Sequence, residues 1–353
     1  MNILHIFSNA SEKFSEPYIE FINNNFDSSK HFFYYIGKDE RAKRTNRINT
    51  CFVSGIKYID FIKGLHISNK IILHGLFSPN MVLMLFMQPW LLKKTYWVIW
   101  GGDLYYYEYR KRSFKTSIYE FLRKKVIKNM RGLITYISGD YELVKKWYKC
   151  KGKFYYSYMY LSNTYKEYNF EKAEGDNKKF YIQVGNSSDP SNNHLEVFQK
   201  LQRYKNENIE IICPLSYGSL EYRDTIISEG RKMFNNKFRP LIDFLPFDEY
   251  LNLLAKVDIS IFNHKRQQAM GNIITLLGLG KKVYVRDDIT TWGFFIEHGL
   301  KVFSSNSNFE DLLDEFEENK RLINIKNVKN KFSKEKLKGD WEKIFNDGVR
   351  EYE

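Results

Sequence analysis

"KIILHGLFSPNMVLMLFMQPWLLKKTYWVIWGGD", residues 70–103, contains the repeating unit that decides the fold. One apolar run ends at Gly75, a helix-length segment follows, and a second apolar run ends at Gly101 and Gly102. Apolar runs separated by helical segments predict parallel strands joined by crossover helices. Glycine at the end of each run favours a tight turn or the close approach of a ligand.

The same alternation of strand and helix runs along most of the chain, in two series separated by a polar segment at 166–179. We therefore predict an α/β protein with two Rossmann-like, doubly wound parallel-sheet domains that face each other across a cleft. The predicted elements include a helix over 80–92, a strand over 240–245 and a helix over 308–323. The predicted organisation is a first domain at 1–165, a linker at 166–179, a second domain at 180–330 and a C-terminal helical tail at 331–353.

Composition narrows the class of protein without identifying it. The 353 residues carry a net charge of +13, which indicates an anionic partner such as nucleic acid, a membrane surface or a phosphorylated substrate. Three isolated cysteines have no metal-ligand spacing and suit a reducing compartment, so we expect a cytoplasmic protein. No apolar run approaches the length that crosses a bilayer, and residues 1–10 lack the basic segment of a secretory signal.

The segment "VGNSSDPSNNH", residues 184–194, opens the second series. A strand ends at Gly185, a polar loop follows, and a helix starts near Asn193. Backbone N–H groups in such a loop, together with the helix N-terminus, form an anion site. An ordinary polar loop with a helix cap accounts for the same residues. The candidate ligand-binding residues here are Gly185, Asn186, Ser187, Asn192 and His194.

A second segment, "NHKRQQAMGNIITLLGLGKKVYV" at 263–285, places cations just before a helix. Helix dipoles and an arginine fork are the groups that bind a pyrophosphate, although a solvated basic loop has the same composition. Tyr217, in the loop "PLSYGS" after another strand, is a candidate for lining a nucleotide site. The other candidates in this region are Arg266, Gln267, Gln268, Gly271 and Asn272.

Four segments together resemble a known family. They are "HGLFSPN" (74–80), "VIWGGDLY" (98–105), "VGNSSDPSNNH" (184–194) and "RQQAMGNIITLLGLGKKV" (266–283). Their order and spacing are similar to those of the TDP-Fuc4NAc:lipid II Fuc4NAc transferases, also described as 4-alpha-L-fucosyltransferases. The resemblance covers about residues 70–305.

This resemblance implies a GT-B glycosyltransferase with the nucleotide sugar in the second lobe and the acceptor in the first. It also implies transfer of a deoxy-amino sugar, Fuc4NAc or similar, from a dTDP donor to an undecaprenyl-pyrophosphate-linked saccharide. In enterobacteria such a reaction builds the common antigen, a surface polysaccharide. Many retaining GT-B enzymes carry two glutamates at the positions of Gln267 and Thr275, so the donor must be held differently here. We expect no cofactor and no metal, because no Asp-x-Asp pair stands at a plausible strand end.

The turn "WGGD", residues 100–103, is the candidate acceptor edge of the first sheet. Transfer to a hydroxyl needs a base, and Asp103 beside the hydrophobic wall of Trp100 and Tyr105 is the first candidate. Capping of the next turn is the structural alternative for Asp103. His74, at the end of a neighbouring strand, is the second candidate for the base, although a structural role is the more common one for a lone histidine. Gly101, Gly102 and Tyr105 are the candidate acceptor-side neighbours.

The segment 110–131 is strongly basic and amphipathic. Such a segment suits an anionic membrane surface and a lipid-linked pyrophosphate, and a solvated face of a core helix has the same pattern. We therefore expect a peripheral protein on the cytoplasmic face of the inner membrane. The candidate acceptor or membrane contacts are Arg110, Lys111, Arg112, Arg123, Lys124 and Lys125.

Two other functions are compatible with parts of the sequence. A two-lobed sugar-nucleotide epimerase has the same architecture, and it would act without an acceptor. A nucleic-acid-binding protein would use the net charge of +13, but no helix-turn-helix, zinc or RNP-type motif supports it, so we expect no nucleic-acid partner.

Overall fold

A computed structural model describes residues 2–8, 12–36, 49–53, 57–167 and 179–347. The chain divides into two units, one comprising Met1–Ser162 with Lys334–Glu353 and the other Asn163–Ser333. Each unit is built on a parallel sheet, as the alternation of strands and helices predicts. Most of the predicted linker, residues 168–178, lies outside the described residues.

The described residues of the first unit form a seven-stranded parallel sheet in the order β3-β2-β1-β4-β5-β6-β7. Its strands are β1 (Ile3–Phe7), β2 (His31–Tyr35), β3 (Thr50–Phe52), β4 (Lys70–His74), β5 (Thr95–Val98), β6 (Gly132–Thr135) and β7 (Lys153–Tyr156). Its helices are α1 (Glu12–Asn25), α2 (Lys57–Ile67), α3 (Pro79–Met87), α4 (Tyr106–Tyr109), α5 (Phe114–Lys128), α6 (Ser138–Tyr148) and α13 (Lys334–Asn346).

The second unit contains, within its described part, a six-stranded parallel sheet in the order β10-β9-β8-β11-β12-β13. Its strands are β8 (Phe180–Val184), β9 (Ile209–Pro214), β10 (Phe238–Leu241), β11 (Ile259–Phe262), β12 (Lys282–Val285) and β13 (Phe303–Ser304). Its helices are α7 (His194–Leu201), α8 (Leu220–Phe234), α9 (Phe247–Lys256), α10 (Met270–Gly278), α11 (Thr290–Glu297) and α12 (Glu318–Lys331).

Both strand orders reverse direction once, between β1 and β4 in the first sheet and between β8 and β11 in the second. Open parallel sheets bind ligands outside the carboxyl ends of the strands at such a reversal. In the first sheet the reversal lies beside His74, and in the second it lies beside Gly185 and Asn263. We therefore expect ligands to bind at these two strand edges, and both edges carry residues that the sequence analysis named as candidates.

Three predicted elements differ from the structure for local reasons. The helix predicted over 80–92 ends at Met87, because Pro89 has no N–H to continue the helical hydrogen bonds. The strand predicted over 240–245 begins two residues earlier, at Phe238, and ends at Leu241. The helix predicted over 308–323 begins only at Glu318, and its predicted start is excluded because Phe309 has a left-handed backbone (φ 59°) that no α-helix accommodates.

The C-terminal helix α13 groups with the first unit rather than standing apart as a tail. The buried Lys70 ammonium donates to the carbonyl oxygens of Ile344, Phe345 (3.2 Å) and Asp347 (3.2 Å) at the end of α13. A cation at a helix C-terminus satisfies carbonyls that have no partner within the helix. The Trp341 indole, also buried, donates to the carbonyl of Met159 at 3.1 Å.

Candidate functional site

Loops after three strands of the second sheet are joined by side-chain hydrogen bonds. The Gln268 amide, after β11, donates to Asn186 Oδ1 (3.2 Å) after β8 and accepts from Ser191 Oγ (2.7 Å). The Asn186 amide donates in turn to the hydroxyl of Tyr217 (2.6 Å), after β9. The carboxyl edge of this sheet is therefore a polar, preorganised surface at the reversal of strand order.

Asn192 is the buried centre of this arrangement. Its Oδ1 accepts from the Asn186 backbone N–H (3.0 Å) and from His264 Nε2 (2.8 Å), while its amide donates to Ser187 Oγ (3.1 Å). His264 is 2% exposed, and burial holds its pKa well below the usual value, so the ring is neutral and donates through Nε2. These bonds fix the shape of the 185–192 loop.

Gly185 and His194 are packed against each other under that loop. Gly185 has a left-handed backbone (φ 69°), and a Cβ at this position would lie 2.4 Å from His194 Nε2. Glycine is therefore required at the strand end. His194 is fully buried with Nδ1 3.2 Å from the Tyr222 hydroxyl, and burial lowers its pKa to about 3. His194 therefore packs beneath the loop and stabilises its conformation.

The residue before the N-terminus of α10 has a strained backbone conformation. Ala269 precedes the helix with a left-handed backbone (φ 58°, ψ 20°), which costs a non-glycine residue energy, and no side chain caps the helix there. The first N–H groups of an α-helix have no partner within the helix, so this end of α10 can receive an anion. Arg266 lies half-buried just before it, 3.5 Å from the Asp189 carboxylate.

The structure thus brings together most of the candidates predicted in the second half of the chain. Asn186, Ser187, Asn192, Tyr217 and Gln268 share one hydrogen-bonded cluster, and Arg266 joins it through Asp189. Gln267 is buried, Gly271 lies in the first turn of α10, and Asn272 donates to the Tyr250 hydroxyl (3.0 Å). The sequence analysis missed Ser191 and His264 as members of the cluster, although both stand in the two segments that it singled out.

Asp103, in the first unit, is enclosed by donors. It is 1% exposed, and its Oδ2 accepts from the Leu76 N–H (2.9 Å) and the Trp97 indole (2.7 Å). Its Oδ1 accepts from the backbone N–H groups of Trp100 (3.0 Å) and Leu104 (2.9 Å). Four bonds occupy all the lone pairs of a carboxylate, so these contacts favour holding the 100–104 turn over accepting a proton from substrate. The catalytic role of Asp103 stays a prediction.

His74 is likewise occupied at both ring nitrogens. Its Nδ1 lies 2.7 Å from the Tyr160 hydroxyl and its Nε2 3.2 Å from His5 Nδ1, with 2% of the residue exposed. Burial holds the pKa of His74 well below the usual value. These contacts favour a positioning role over that of a base, and the catalytic role of His74 also stays a prediction.

The remaining candidates of the first unit differ in exposure. Gly101 turns the chain with φ 83°, Gly102 is exposed, and Tyr105 is buried with its hydroxyl 3.3 Å from Asp140 Oδ1. Arg110 is half-buried and donates to the Tyr107 carbonyl. The exposed basic candidates are Lys111, Arg112, Lys124 and Lys125.

Arg123, which we expected on the exposed basic face, is 1% exposed and cannot contact an acceptor or a membrane from there. Its guanidinium donates to the carbonyl oxygens of Leu76 (2.8 Å) and Asp103 (2.6 Å) and lies 3.3 Å from the Glu120 carboxylate. The five donors of arginine suit the bracing of two neighbouring turns. Arg123 therefore joins the turn at Leu76 to the turn at Asp103. The expectation that Arg123 contacts an acceptor or a membrane is corrected, because the residue is buried.

Residues 3–349 match the family model described as 4-alpha-L-fucosyltransferase, glycosyl transferase group 56. The chain belongs to this family. It is a glycosyltransferase, and the resemblance seen in the four sequence segments is confirmed over nearly the whole length. An epimerase or a nucleic-acid-binding protein is accordingly the weaker interpretation.

Solved structures share this fold at low sequence identity. HepE from Anabaena, solved with UDP-glucose, has a TM-score of 0.68 at 10% identity, covering 98% of this chain and 100% of that one. Sucrose-phosphate synthase from Thermosynechococcus elongatus has a TM-score of 0.69 at 9% identity, covering 98% of each chain. A glycosyltransferase from Rickettsia africae has a TM-score of 0.68 at 12% identity, covering 99% of each chain. The predicted GT-B type of fold is confirmed.

This family member lacks the paired glutamates of many retaining GT-B enzymes. Gln267 is buried, and the Thr275 hydroxyl donates to the Gly271 carbonyl (2.9 Å) within α10. Neither glutamine nor threonine carries a carboxylate, so these two positions cannot hold a donor sugar as a pair of glutamates does. In the part of the chain that the structure describes, no group of three or more His, Cys, Asp or Glu could hold a metal ion. Metal independence stays a prediction.

Proposed function

We propose that this glycosyltransferase moves a deoxy-amino sugar, Fuc4NAc or similar, from a dTDP donor to an undecaprenyl-pyrophosphate-linked saccharide in the synthesis of a bacterial surface polysaccharide. The observation that carries the proposal is the cluster of Asn186, Asn192 and Gln268 at the reversal of the second sheet, beside Arg266 and the uncapped start of α10. Family membership supplies the reaction class, and the bound UDP-glucose of HepE supports a nucleotide-sugar donor.

In the proposed reaction the bond between the sugar carbon C1 and the diphosphate oxygen breaks, and a bond from the acceptor oxygen to C1 forms. The acceptor hydroxyl releases its proton as that bond forms, and the leaving diphosphate can take the proton up. The leaving diphosphate gains negative charge as that bond breaks. Arg266 and the N–H groups at the start of α10 are fixed positive groups placed to stabilise it. The polar loop 185–192 and Tyr217 would hold the nucleoside and the sugar, which lie on either side of the diphosphate.

Replacing Arg266 by alanine should weaken donor binding specifically. A charge-assisted hydrogen bond from arginine to phosphate contributes about 1.5–3 kcal/mol, so we expect the affinity for dTDP to fall at least about tenfold. The measurement is a thermal-shift titration of the full chain with dTDP, UDP and GDP. Arg239→Ala, at an exposed arginine of β10, is the matched control and should bind as the unchanged protein does. Indifference of the unchanged protein to all three nucleotides would contradict the donor assignment.

The acceptor is proposed to reach the first unit from an anionic membrane surface. Phe114 is 82% exposed, and Ile118 (48%) and Phe121 (55%) follow it at helical spacing along α5. Exposed lysines and arginines flank this apolar stripe, including Lys111, Arg112, Lys115, Lys124 and Lys125. Apolar insertion combined with basic flanks suits a peripheral contact with anionic lipid headgroups.

A second helix extends the exposed apolar surface. Helix α3 packs against α5 and exposes Leu83 (49%) and Met87 (66%), and Trp90, just after α3, is 56% exposed. Large apolar side chains grouped on neighbouring helices mark an interaction site more often than scattered ones do. No helix within the described residues is long and apolar enough to cross a bilayer.

The double substitution Phe114→Ser with Phe121→Ser should reduce membrane binding by about tenfold or more, since burying one such ring contributes ~1.5–3 kcal/mol. Cosedimentation with vesicles containing phosphatidylglycerol measures the bound fraction, and binding should also fall as salt screens the lysines. Leu220→Ser is the control, because Leu220 is 67% exposed in the second unit. Equal binding of the double variant and the control would refute insertion by α5.

A further inference from the structure

Five side chains form a continuous chain of hydrogen bonds across the first sheet, and the four of them other than Trp100 are buried. His31 Nδ1 lies 3.0 Å from His5 Nε2, and His5 Nδ1 lies 3.2 Å from His74 Nε2. His74 Nδ1 lies 2.7 Å from the Tyr160 hydroxyl, which the Trp100 indole N–H approaches at 2.8 Å. The chain starts at the first residue of β2 and ends at the carboxyl edge of the sheet, after β5.

The indole fixes the direction of the first bond, and the need of the buried hydroxyl for an acceptor assigns the next. A tryptophan N–H can only donate, so the Tyr160 oxygen accepts from it. A buried O–H needs an acceptor, so the Tyr160 hydroxyl is assigned as the donor to His74 Nδ1, 2.7 Å away. Neutral His74 then carries its proton on Nε2 and donates to His5 Nδ1. His5 carries its proton on Nε2 in the same way and donates to His31 Nδ1. The three histidines thus share one tautomer, with the proton on Nε2.

The surrounding contacts are compatible with this direction. The buried Tyr18 hydroxyl lies 3.4 Å from His5 Nδ1. His5, His31 and His74 are 0%, 3% and 2% exposed, and burial lowers the pKa of each, to about 4 for His31. Three imidazoles in a core are costly unless each is satisfied, whereas a satisfied network fixes one arrangement of its members.

The member of the chain nearest to solvent is Trp100. Its ring is half-buried and meets Phe14, Phe77 and Tyr160 in edge-to-face contacts, with ring centroids 5.2, 6.2 and 5.1 Å away. Two residues without side chains, Gly101 and Gly102, follow it, and Gly102 is exposed. An oriented aromatic wall at the carboxyl edge of a parallel sheet is a setting in which ligands bind.

We propose that Trp100 is the platform on which the acceptor saccharide rests, and that Tyr160 and His74 are positioning residues that hold its indole in one orientation. This proposal rests on the glycosyl transfer proposed above and adds the residue that recognises the acceptor. The apolar C–H face of a sugar packs on an indole, and the hydrogen bond from the indole N–H to Tyr160 keeps the ring from rotating away.

Steady-state kinetics separates this role from a general one. The assay follows release of dTDP from a dTDP-deoxyamino-sugar, with the polyprenyl-pyrophosphate saccharide fraction of a bacterial lipid extract as acceptor. Trp100→Ala should raise the acceptor KM about tenfold or more while the donor KM stays unchanged. Trp292→Ala, at a half-buried tryptophan of α11 in the second unit, is the matched control and should leave the acceptor KM unchanged. An unchanged acceptor KM in Trp100→Ala would overturn the platform.

The positioning residues have a readout that needs no substrate. Two-dimensional ¹⁵N spectra of the imidazole rings should show His5, His31 and His74 as neutral rings protonated on Nε2. Tyr160→Phe should shift the Trp100 indole N–H signal and raise the acceptor KM, whereas Tyr109→Phe, at an exposed tyrosine, should do neither. A proton on Nδ1 of His74 would overturn the positioning chain. Absence of transfer in the unchanged protein would count against the proposed function alone, since the spectra test the chain independently.

Discussion

Asp103→Asn is expected to lower the free energy of unfolding of the first unit by about 3 kcal/mol. The substitution replaces one acceptor oxygen with an NH₂ group that faces N–H donors of Leu76 and Trp97, or of Trp100 and Leu104. Donors that face each other repel, and the buried Arg123 beside the turn loses a nearby negative charge. Urea unfolding followed by tryptophan fluorescence measures the change.

This result decides between the two roles open to Asp103. Asp60→Asn, at an exposed aspartate of α2, is the control and should unfold as the unchanged protein does. If Asp103→Asn keeps its stability and its donor affinity but loses turnover, the carboxylate is the base and our structural interpretation of it is wrong. If stability falls as expected, loss of turnover in this variant cannot be assigned to proton transfer.

Acidification should destabilise the protein well before its carboxylates are fully protonated. Within the described part of the chain five histidines are buried, namely His5, His31, His74, His194 and His264. Burial lowers the pKa of each one, to about 4 for His31 and about 3 for His194. The unfolded chain therefore binds more protons than the native one below pH 6.5, and stability falls as the pH falls through the range between those values.

His31 and His194, with pKa values lowered to about 4 and about 3, each withdraw about 2 kcal/mol of stability between pH 7 and pH 5, and the other three act in the same direction. We therefore expect the melting temperature to drop by ~10 °C or more over that range. Differential scanning calorimetry at several pH values measures the drop. A His66→Gln variant, at an exposed histidine, should follow the same curve as the unchanged protein. Buried imidazoles that titrate near pH 6.5 in NMR spectra of the folded protein would contradict the explanation.

The sequence determined the class of fold and the candidate site of the second unit. Alternating strands and helices require parallel sheets, and the carboxyl ends of parallel strands share an edge. The loops that follow β8 and β11 are therefore expected at one edge of the sheet, and the cluster that joins Asn186 to Gln268 lies at that edge, where the two strands are neighbours. These relations depend only on local pattern and on the geometry of a parallel sheet.

Tertiary packing decided what the side chains of the first unit do. Asp103 is held by Trp97 on a strand and by Leu76 after a different strand, and no local pattern shows that these groups surround it. Helix α5 has apolar residues on more than one face, so its sequence did not reveal that Phe114 would face outward and Arg123 inward. Contacts between residues far apart in the chain fix such choices, because periodicity identifies a helix but leaves open which of two similar faces is buried.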